Sequence, residues 1–323
     1  MFPTSTTITV ITPAYRPRDL SSYLAAHAAC AGADVEWIVV DDGSGPGFDV
    51  AFDRLAALGA RVLRRGANAG QGAARNVGLA EATGQWVKFL DIDDTLPPGH
   101  LEALLRASEA SPGTIPFAPT VHVWQSGART RNDSWRDLGP APNDQLARLL
   151  RSPFLSHCGA LFPRDLLLQL GGYDEGLATD EDGDLLIRVL LAGYNFSAVP
   201  EAEYLYIHHE GARVSADDDP RKIAARVRVC DKLEAAFAGR EMPPAIRTAL
   251  AQRLDRIAMS AWESDPATGA RMLEKARRVC PDYPVPERLP VRLARRIGGP
   301  ALARRTSALA RRLRGRLPGG MRA

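Results

Sequence analysis

Three aspartates, Asp91, Asp93 and Asp94, directly follow a short apolar strand predicted over residues 86–90. A strand this apolar belongs in the interior, yet a cluster of like charges resists burial unless a cation or hydrogen-bond donors compensate it. Carboxylate oxygens suit Mg²⁺ or Mn²⁺, which typically bind a few carboxylates together with substrate phosphates. A polar loop after a core strand would look the same. On their own, the aspartates indicate either a divalent-metal site or a loop.

A second group of acids, Asp180, Glu181, Asp182 and Asp184, lies at the start of a predicted helix. The helix dipole favours acids there, so capping is one explanation, but capping needs only one or two of them. A spare carboxylate that stays ionised is what a general base requires. The group therefore contains a candidate base.

Two glycine-containing segments also follow or begin predicted elements: DDGS at residues 41–44 and GQGAARN at residues 70–76. The carboxylate of Asp42 can accept a hydrogen bond from a base edge such as the imide N–H of uracil, although Asp-Gly-Ser is also common turn chemistry. The N–H groups of a helix start favour anions, and Arg75 either pairs with a phosphate or remains solvated.

The elements that must position these residues alternate between strand and helix over the first hundred residues. This alternation predicts an α/β fold with a mostly parallel central sheet covered by helices. Ligands bind such sheets beyond the carboxyl ends of the strands, where the motifs lie. The predicted strands cover residues 8–11, 35–40, 60–64 and 86–90, and the predicted helices cover 18–31, 49–58 and 70–82.

The later chain is less regular. Residues 125–143 are predicted as loop, and the chain from residue 220 onward is predicted as helical, rich in Ala and Arg and interrupted by prolines. Further predicted helices cover residues 100–108, 164–170 and a stretch beginning near 181, and further predicted strands cover 114–124, 196–199 and 204–207.

Composition is that of an ordinary globular protein, with 323 residues, 45% hydrophobic and 24% charged. The first residues lack a basic start followed by a long apolar core, so no signal peptide is expected. No apolar run is long enough to span a membrane. The four cysteines are scattered without metal-type spacing. A reduced, cytoplasmic protein is expected.

The formal net charge of +3 hides an asymmetry, because residues 288–323 contain eleven arginines and no acid, which leaves −8 for the remainder (3 − 11). Leucines recur there at helical spacing, and a basic amphipathic helix is typical of proteins that lie on an anionic membrane surface. The tail is therefore predicted to place the protein peripherally on the inner face of the cell membrane. Packing on the chain's own acidic body is an alternative. Nucleic acid is disfavoured, because the tail has no aromatic residue for base stacking.

Seven segments occur in one order over residues 7–215: TVITPAYRP, VVDDGSG, GQGAARNVGLAEATG, WVKFLDIDD, GGYDE, DEDGDLLIRVLLAG and HHEGARVS. Together they resemble the family 2 glycosyltransferases with the GT-A fold. The resemblance implies a nucleotide diphosphate sugar donor, with UDP as the default, a divalent Mn²⁺ or Mg²⁺ ion, and inversion at the anomeric carbon. It also implies a carbohydrate or lipid-linked acceptor, in cell-surface polysaccharide or glycan synthesis.

The resemblance divides the chain into three parts. Residues 1–110 would be the nucleotide-sugar-binding half of the GT-A domain, 111–218 its acceptor-binding and catalytic half, and 219–323 a helical extension with the basic tail. By position, Asp42 would contact the base, and Arg75 and Asn76 would lie near the ribose and diphosphate. The nucleotide pocket would be lined by Thr12, Pro13, Ala14 and Tyr15.

The resemblance also assigns roles to the acids. Asp91-Ile92-Asp93 would be the D-x-D motif that meets the donor, with Asp93 as the metal ligand beside Asp91, and Asp94 as a substitute. In the Glu181-Asp182 pair, Asp182 would be the catalytic base. From the later His-His pair, His208 or its neighbour His209 would face the metal, with His208 preferred; an exposed pair beside a loop is the alternative.

Two other functions stay open at this point. One is a catalytically silent nucleotide-sugar or glycan-binding module with the same fold. The other is a nucleic-acid-associated protein that acts through the basic tail. The intact set of acids argues against a silent module, because loss of the base would be its expected mark.

Overall fold

The computed structural model describes residues 8–30, 34–152, 155–209, 219–262 and 264–282. The chain divides into two compact units, Met1–Ala212 and Arg213–Ala323. The tail predicted to bind membranes, residues 288–323, lies outside the described residues. Among the residues described, no helix combines the length and apolar character needed to cross a membrane.

The regular elements of the described residues are numbered along the chain. The strands are β1 (Ile8–Ala14), β2 (Val35–Asp41), β3 (Arg61–Arg64), β4 (Trp86–Phe89), β5 (Thr114–Phe117), β6 (Thr120–Val123), β7 (Arg129–Arg131), β8 (Leu161–Pro163), β9 (Asn195–Ala198) and β10 (Tyr204–Ile207). The helices are α1 (Ser21–Ala29), α2 (Asp49–Ala57), α3 (Gln71–Glu81), α4 (His100–Ala110), α5 (Pro142–Arg151), α6 (Arg164–Gln169), α7 (Glu181–Leu191), α8 (Pro220–Ala236), α9 (Pro244–Ala261) and α10 (Pro266–Val279).

The main sheet has five strands in the order β3-β2-β1-β4-β8. The first four are parallel, and β8 runs antiparallel to β4. Every residue of β1 is buried, as expected for a central strand covered on both faces. Ile8 pairs with Val35 on one side and with Trp86 on the other, so the carboxyl ends of three strands share one edge. The predicted mostly parallel sheet is confirmed.

Two smaller sheets complete the first unit, with strand orders β10-β6-β7 and β5-β9. Thr95 pairs with Leu205 in antiparallel fashion, so the chain that leaves Asp94 runs along the edge of β10. Because β8 joins the main sheet and β10 meets this segment, both predicted halves of residues 1–218 contribute to one unit.

The middle of the chain differs from the prediction in two places. The strand predicted over residues 114–124 is broken between β5 and β6, where Pro119 has no N–H to donate to a ladder. The loop predicted over residues 125–143 contains strand β7 and ends where Pro142 begins helix α5.

The second unit contains the helices α8, α9 and α10, with α9 packed against both of the others. Pro220, Pro244 and Pro266 each occupy the first turn of one helix, where the missing N–H costs nothing. Of the prolines that interrupt the predicted helical region, Pro244 is therefore a helix start and Pro281 follows the end of α10, whereas Pro284, Pro286 and Pro290 lie outside the described residues.

Candidate active site

Strand β1 carries the first predicted nucleotide contacts. Thr12 is fully buried, and its hydroxyl has no hydrogen-bond partner among the described residues. Pro13 and Ala14 are also buried, whereas Tyr15, just beyond the strand, is 45% exposed. The guanidinium carbon of Arg16 lies 5.0 Å from the Tyr15 ring centroid. The strand thus ends in an exposed ring beside a cation, at the edge where parallel sheets bind ligands.

Asp42 is buried, and protein donors fill its carboxylate. Its Oδ1 accepts hydrogen bonds from Arg65 Nη1 at 3.0 Å and from the Ala69 N–H at 3.1 Å. Its Oδ2 accepts from the Gly70 N–H at 2.8 Å, with the Ala69 N–H at 3.3 Å as well. A carboxylate offers about four acceptor positions, and three protein donors use them, with the Ala69 N–H shared between the two oxygens. Asp42 therefore anchors the loop before α3, and a base edge would share its carboxylate with these donors.

The guanidinium of Arg75 is 1% exposed and lies between acids. Its Nη2 donates to Asp91 Oδ1 at 2.7 Å and to Gln71 Oε1 at 3.1 Å, and its Nη1 lies 3.8 Å from Glu181 Oε1. The ring of Tyr173 covers it at 5.3 Å. Burial disfavours the charge, but Asp91 raises the pKa of Arg75 above its ordinary value. Arg75 is thus an internal counter-ion, whereas the predicted diphosphate contact would need a guanidinium that faces solvent.

Asn76 holds the turn that follows α6. Its amide group donates to the Tyr173 carbonyl at 3.0 Å and to Glu175 Oε1 at 2.8 Å, and its oxygen accepts from the Tyr173 N–H at 2.7 Å. Both N–H donors are therefore committed to residues 173–175. This geometry gives Asn76 a positioning role and does not present its amide to a ribose, as the prediction expected.

The three aspartates after β4 have different surroundings. Asp94 is fully buried, with Oδ2 accepting from the Tyr204 hydroxyl and Oδ1 accepting from the Ile207 N–H at 2.9 Å. Burial and the charge of Asp91 raise the pKa of Asp94 well above its ordinary value. Asp94 therefore fastens this loop to β10, and its predicted use as a substitute metal ligand is not supported.

The other two aspartates of the motif face outward. Asp93 is exposed, and 27% of the Asp91 side chain is exposed; Ile92 between them is half-buried. Burial tends to raise the pKa of Asp91, but Arg75 and His157 hold it below its ordinary value. Although its side chain is exposed, partial desolvation of the Asp93 carboxylate by its surroundings, together with the charge of Asp91, raises the pKa of Asp93. Asp91 is thus ionised, and its negative charge makes ionisation of the neighbouring Asp93 carboxyl less favourable.

Glu181 and Asp182 begin helix α7, and they differ in exposure and in the direction in which their pKa values are shifted. The Asp182 side chain is 47% exposed, and its Oδ2 lies 3.4 Å from Nδ1 of His157. Burial tends to raise the pKa of Asp182, but the imidazole of His157 lowers it below its ordinary value. Glu181 is 17% exposed, and burial followed by the charge of Asp182 raises its pKa. Asp182 is therefore the ionised and accessible member of the pair.

Helix α7 is held against the turn before it. Asp184 is buried and accepts a hydrogen bond from Arg188 Nε at 2.8 Å. Arg188 also donates to the carbonyl oxygens of Leu170 and Gly172, at 2.8 and 2.7 Å. Asp184 thus has a structural role, and it fixes the helix start that carries Asp182.

The two histidines after β10 point to different places. The Nε2 atom of His208 lies 3.0 Å from Nδ1 of His122, and its ring stacks on Trp124. His209 is exposed, and its Nε2 lies 3.4 Å from the main-chain oxygen of Asp93. Consecutive side chains of an extended chain point to opposite faces. The structure therefore places His209, rather than the predicted His208, beside the candidate metal ligands.

Sequence reasoning missed the buried groups around Asp91. Nε2 of His157 lies 3.2 Å from Cys158 Sγ, and each of these residues brings a ligand atom within 4.8 Å of one from Asp91. Lys88 is fully buried in β4, donates to the Cys158 carbonyl, and has its pKa lowered to about 7 by burial. A signal for Lys88 was present, because a lysine inside an apolar strand needs a polar partner.

Residues 9–171 match the family described as "Glycosyl transferase family 2". The chain belongs to this family. The matched region contains all of β1 but its first residue, Asp42, Arg75 and the aspartates after β4, and it ends shortly before Asp182. The family resemblance predicted from the ordered motifs is confirmed.

Curated bacterial proteins are similar to the chain. The succinoglycan biosynthesis protein ExoO of Rhizobium meliloti is 28% identical over 214 residues, which cover 64% of this chain and 62% of that protein. The O-antigen biosynthesis protein RfbC of Myxococcus xanthus is 29% identical over 215 residues, which cover 65% of this chain and 16% of that protein. The chain thus spans less than two thirds of the length of these relatives.

Solved structures share the fold. TarS residues 1–349 of S. aureus, in complex with UDP-GlcNAc, superimposes with a TM-score of 0.65 at 18% identity, covering 95% of this chain and 92% of that one. The mannosyltransferase PcManGT from Pyrobaculum calidifontis, in complex with GDP-Man and Mn²⁺, superimposes with a TM-score of 0.53 at 20% identity, covering 94% of this chain and 80% of that one. The predicted GT-A fold is therefore confirmed.

Proposed function

We propose that the chain transfers a sugar from a nucleoside diphosphate sugar to an acceptor hydroxyl, with a divalent metal and with inversion at the anomeric carbon. One observation carries the proposal: His157 lies beside both the ionised, accessible Asp182 and the carboxylate of Asp91. A candidate base and a candidate metal ligand therefore share one small region at the sheet edge.

Asp182 supports the role of general base. Its pKa is below its ordinary value, so the carboxylate is ionised at neutral pH and can accept the proton of an acceptor hydroxyl as that oxygen attacks the anomeric carbon. Glu181, named with it in the prediction, is mostly buried near Arg75. Direct displacement needs one base and no second carboxylate as nucleophile, which agrees with a single accessible acid in this pair.

Asp91 and Asp93 suit a site for Mn²⁺ or Mg²⁺. Asp93 is exposed, its pKa is raised partly by the charge of Asp91, and two neighbouring carboxylates of this kind favour a bound cation. Both supply the hard oxygen ligands that these metals prefer, and His209 lies next to Asp93. A metal bound there would stabilise the negative charge that develops on the leaving diphosphate.

The proposed donor class is broader than the UDP sugars first expected. Preference for UDP depended on Asp42, whose carboxylate already accepts hydrogen bonds from Arg65, Ala69 and Gly70. Solved structures of the same fold contain UDP-GlcNAc in one case and GDP-Man in another. The names of the relatives, in succinoglycan and O-antigen biosynthesis, favour a carbohydrate or lipid-linked acceptor of a cell-surface polysaccharide.

Thermal unfolding with a panel of nucleotide sugars tests the proposal. The full chain is heated with UDP, GDP and TDP sugars in Mn²⁺, in Mg²⁺ or with EDTA. We expect at least one donor to raise Tm when Mn²⁺ or Mg²⁺ is present and not with EDTA, because a ligand that binds only the native state stabilises it. Slow hydrolysis of the same donor, followed by NMR, should release the inverted anomer. Failure of every donor to raise Tm, or release of the retained anomer, would overturn the proposal.

A further inference from the structure

We propose that four rings on the small sheet, those of Tyr206, His122, His208 and Trp124, form an aromatic platform on which the exposed ring of Trp124 binds a pyranose ring of the acceptor. The inference rests on the proposed function, since it names the acceptor subsite of the same enzyme. The ligand class is a neutral saccharide bound through the C–H face of its ring.

The four rings lie together on one face of the sheet. Tyr206 is in register with His122 across β10 and β6, and their ring centroids are 5.4 Å apart. His208 lies 5.1 Å from His122 and 5.0 Å from Tyr206, and it stacks on Trp124 at 4.4 Å with 8° between the ring planes. Alternate residues of a strand share a face, which is why these side chains meet.

Trp124 is the member that indicates a ligand. It is 38% exposed, although burial of so large an apolar side chain would ordinarily be favourable. Cross-strand packing explains the contact of Tyr206 with His122, because such pairs stabilise a small sheet. The exposed part of the Trp124 ring is the surface of the platform that a ligand can reach.

The chemistry of the rings fits a sugar. The faces of aromatic rings carry negative potential, and the axial C–H groups of a pyranose present a flat, weakly positive, apolar surface that stacks on them. Ligand sites typically combine such apolar surface with a few polar groups that fix orientation. The hydrogen bond between His122 Nδ1 and His208 Nε2, 3.0 Å long, holds two of the rings in place.

The platform is connected to the candidate active site through β10. Tyr204 lies two residues before Tyr206, on the same face, and its hydroxyl donates to Asp94. His209, the neighbour of His208, lies against the main-chain oxygen of Asp93. The strand that supports the candidate metal loop therefore also supports the platform.

Saturation-transfer NMR with a panel of methyl pyranosides and disaccharides of glucose, galactose, mannose and N-acetylglucosamine tests the proposal. With the full wild-type chain, we expect saturation on the C–H protons of one ring face for at least one sugar. Trp124→Leu keeps apolar bulk but removes the ring, and it should weaken binding about tenfold. Trp124→Phe should keep most of the binding, and Trp86→Leu, at the far end of β4, should keep all of it.

Each outcome decides the proposal. Absence of saturation for every sugar with the wild type, or equal saturation with Trp124→Leu, would overturn it. The melting temperature of Trp124→Leu, compared with the wild type, shows whether any loss of binding reflects unfolding. If it does, the indole N–H signal of Trp124 in the wild type, assigned by its absence from Trp124→Phe, supplies the test in a folded chain, and a signal that no sugar shifts would overturn the proposal. If Trp124→Leu also loses the metal-dependent Tm shift by a nucleotide sugar, the platform serves the donor and the acceptor assignment fails. If no nucleotide sugar shifts Tm while Trp124 still governs sugar binding, the proposed function fails and the saccharide site stands.

Discussion

Arg75 and Asp91 form an ion pair with a sharp difference in exposure: the guanidinium is 1% exposed and the carboxylate side chain 27% exposed, across 2.7 Å. The cation compensates Asp91 from the interior, so the outer oxygen of the carboxylate can meet a ligand. Burial of Arg75 therefore assigns it to the support of the loop that carries the candidate metal ligands.

Replacement of Arg75 by Met should destabilise the fold by about 3 kcal/mol, because it leaves Asp91 and Glu181 without their buried counter-ion. Arg75→Lys keeps the charge but not the forked donor geometry, so its stability should lie between those of the wild type and Arg75→Met. Urea unfolding measures both. The double variant Arg75→Met/Asp91→Asn should be more stable than Arg75→Met alone; additive losses would contradict the pairing.

Asp93 and Asp94 form a matched pair of substitutions. Asp93→Ala should keep the Tm of the free protein and lose most of the metal-dependent stabilisation by donor. Asp94→Ala should cost about 2 kcal/mol or more, because it leaves the Tyr204 hydroxyl and the Ile207 N–H unsatisfied. Thermal unfolding with and without Mn²⁺ separates the two effects. If Asp93→Ala lowered the Tm of the free protein and Asp94→Ala lost the metal-dependent stabilisation, Asp94 would be the ligand and Asp93 the structural residue.

Asp182→Asn should lower kcat by about 10²–10⁴-fold while donor binding survives. The imidazole of His157 lowers the pKa of Asp182, so the acid limb of the wild-type pH–rate profile should lie below the ordinary range for aspartate. His157→Gln removes that effect and should move the limb to higher pH. An unchanged limb would show that His157 does not act on the base.

Gly43 and Gly45 both have positive φ, of 78° and 85°, but only Gly43 is approached closely by backbone. A Cβ on Gly43 would lie 2.5 Å from the carbonyl carbon of Ala67, whereas one on Gly45 would meet nothing within 4 Å. Gly45→Ala should cost about 1–3 kcal/mol, because φ 85° with ψ 171° is a backbone conformation that is essentially restricted to glycine. Gly43→Ala should cost clearly more and displace the Asp42 loop. Equal losses in chemical denaturation would contradict the close approach.

Lys88 should make stability depend on pH. Burial lowers its pKa to about 7 from an ordinary 10.5, so between these values the unfolded chain binds a proton that the native chain lacks. Its contribution to stability therefore rises with pH across that window, by up to about 1.4 kcal/mol per pH unit, and is flat below it. Lys88→Met should remove this slope, as the difference between wild-type and variant urea curves from pH 7 to 10 would show. The same pH dependence of unfolding free energy in the wild type and in Lys88→Met would contradict this prediction.

Local pattern was sufficient for the first four strands, because β1, β2 and β4 are largely apolar runs, and β3 is a short segment between turn residues that precedes a helix. It was not sufficient for helix α5. The proline and glycine around residues 139–143 favoured a loop, although Pro142 and Asp144 stand in the first turn of a helix as good starting residues do.

Within the site, residue types were predictable and orientation was not. A carboxylate cluster could be recognised at residues 91–94, but the assignment of Asp94 to the interior depends on Tyr204 and Ile207. His157 was not assigned to Asp182, because they meet only when a 3-10 turn and a helix start are brought together by the fold.

The bonds of Asp94 to Tyr204 and Ile207 join positions 110 and 113 residues apart. On the ribosome, the segment after β4 is made long before its partners, and a nascent chain that stops short of residue 207 cannot complete these bonds. Domains fold as units, and contacts between distant positions form slowly. The contacts of Asp94 therefore form late in synthesis, and a translation product that ends before residue 207 would lack a bond that fastens this loop.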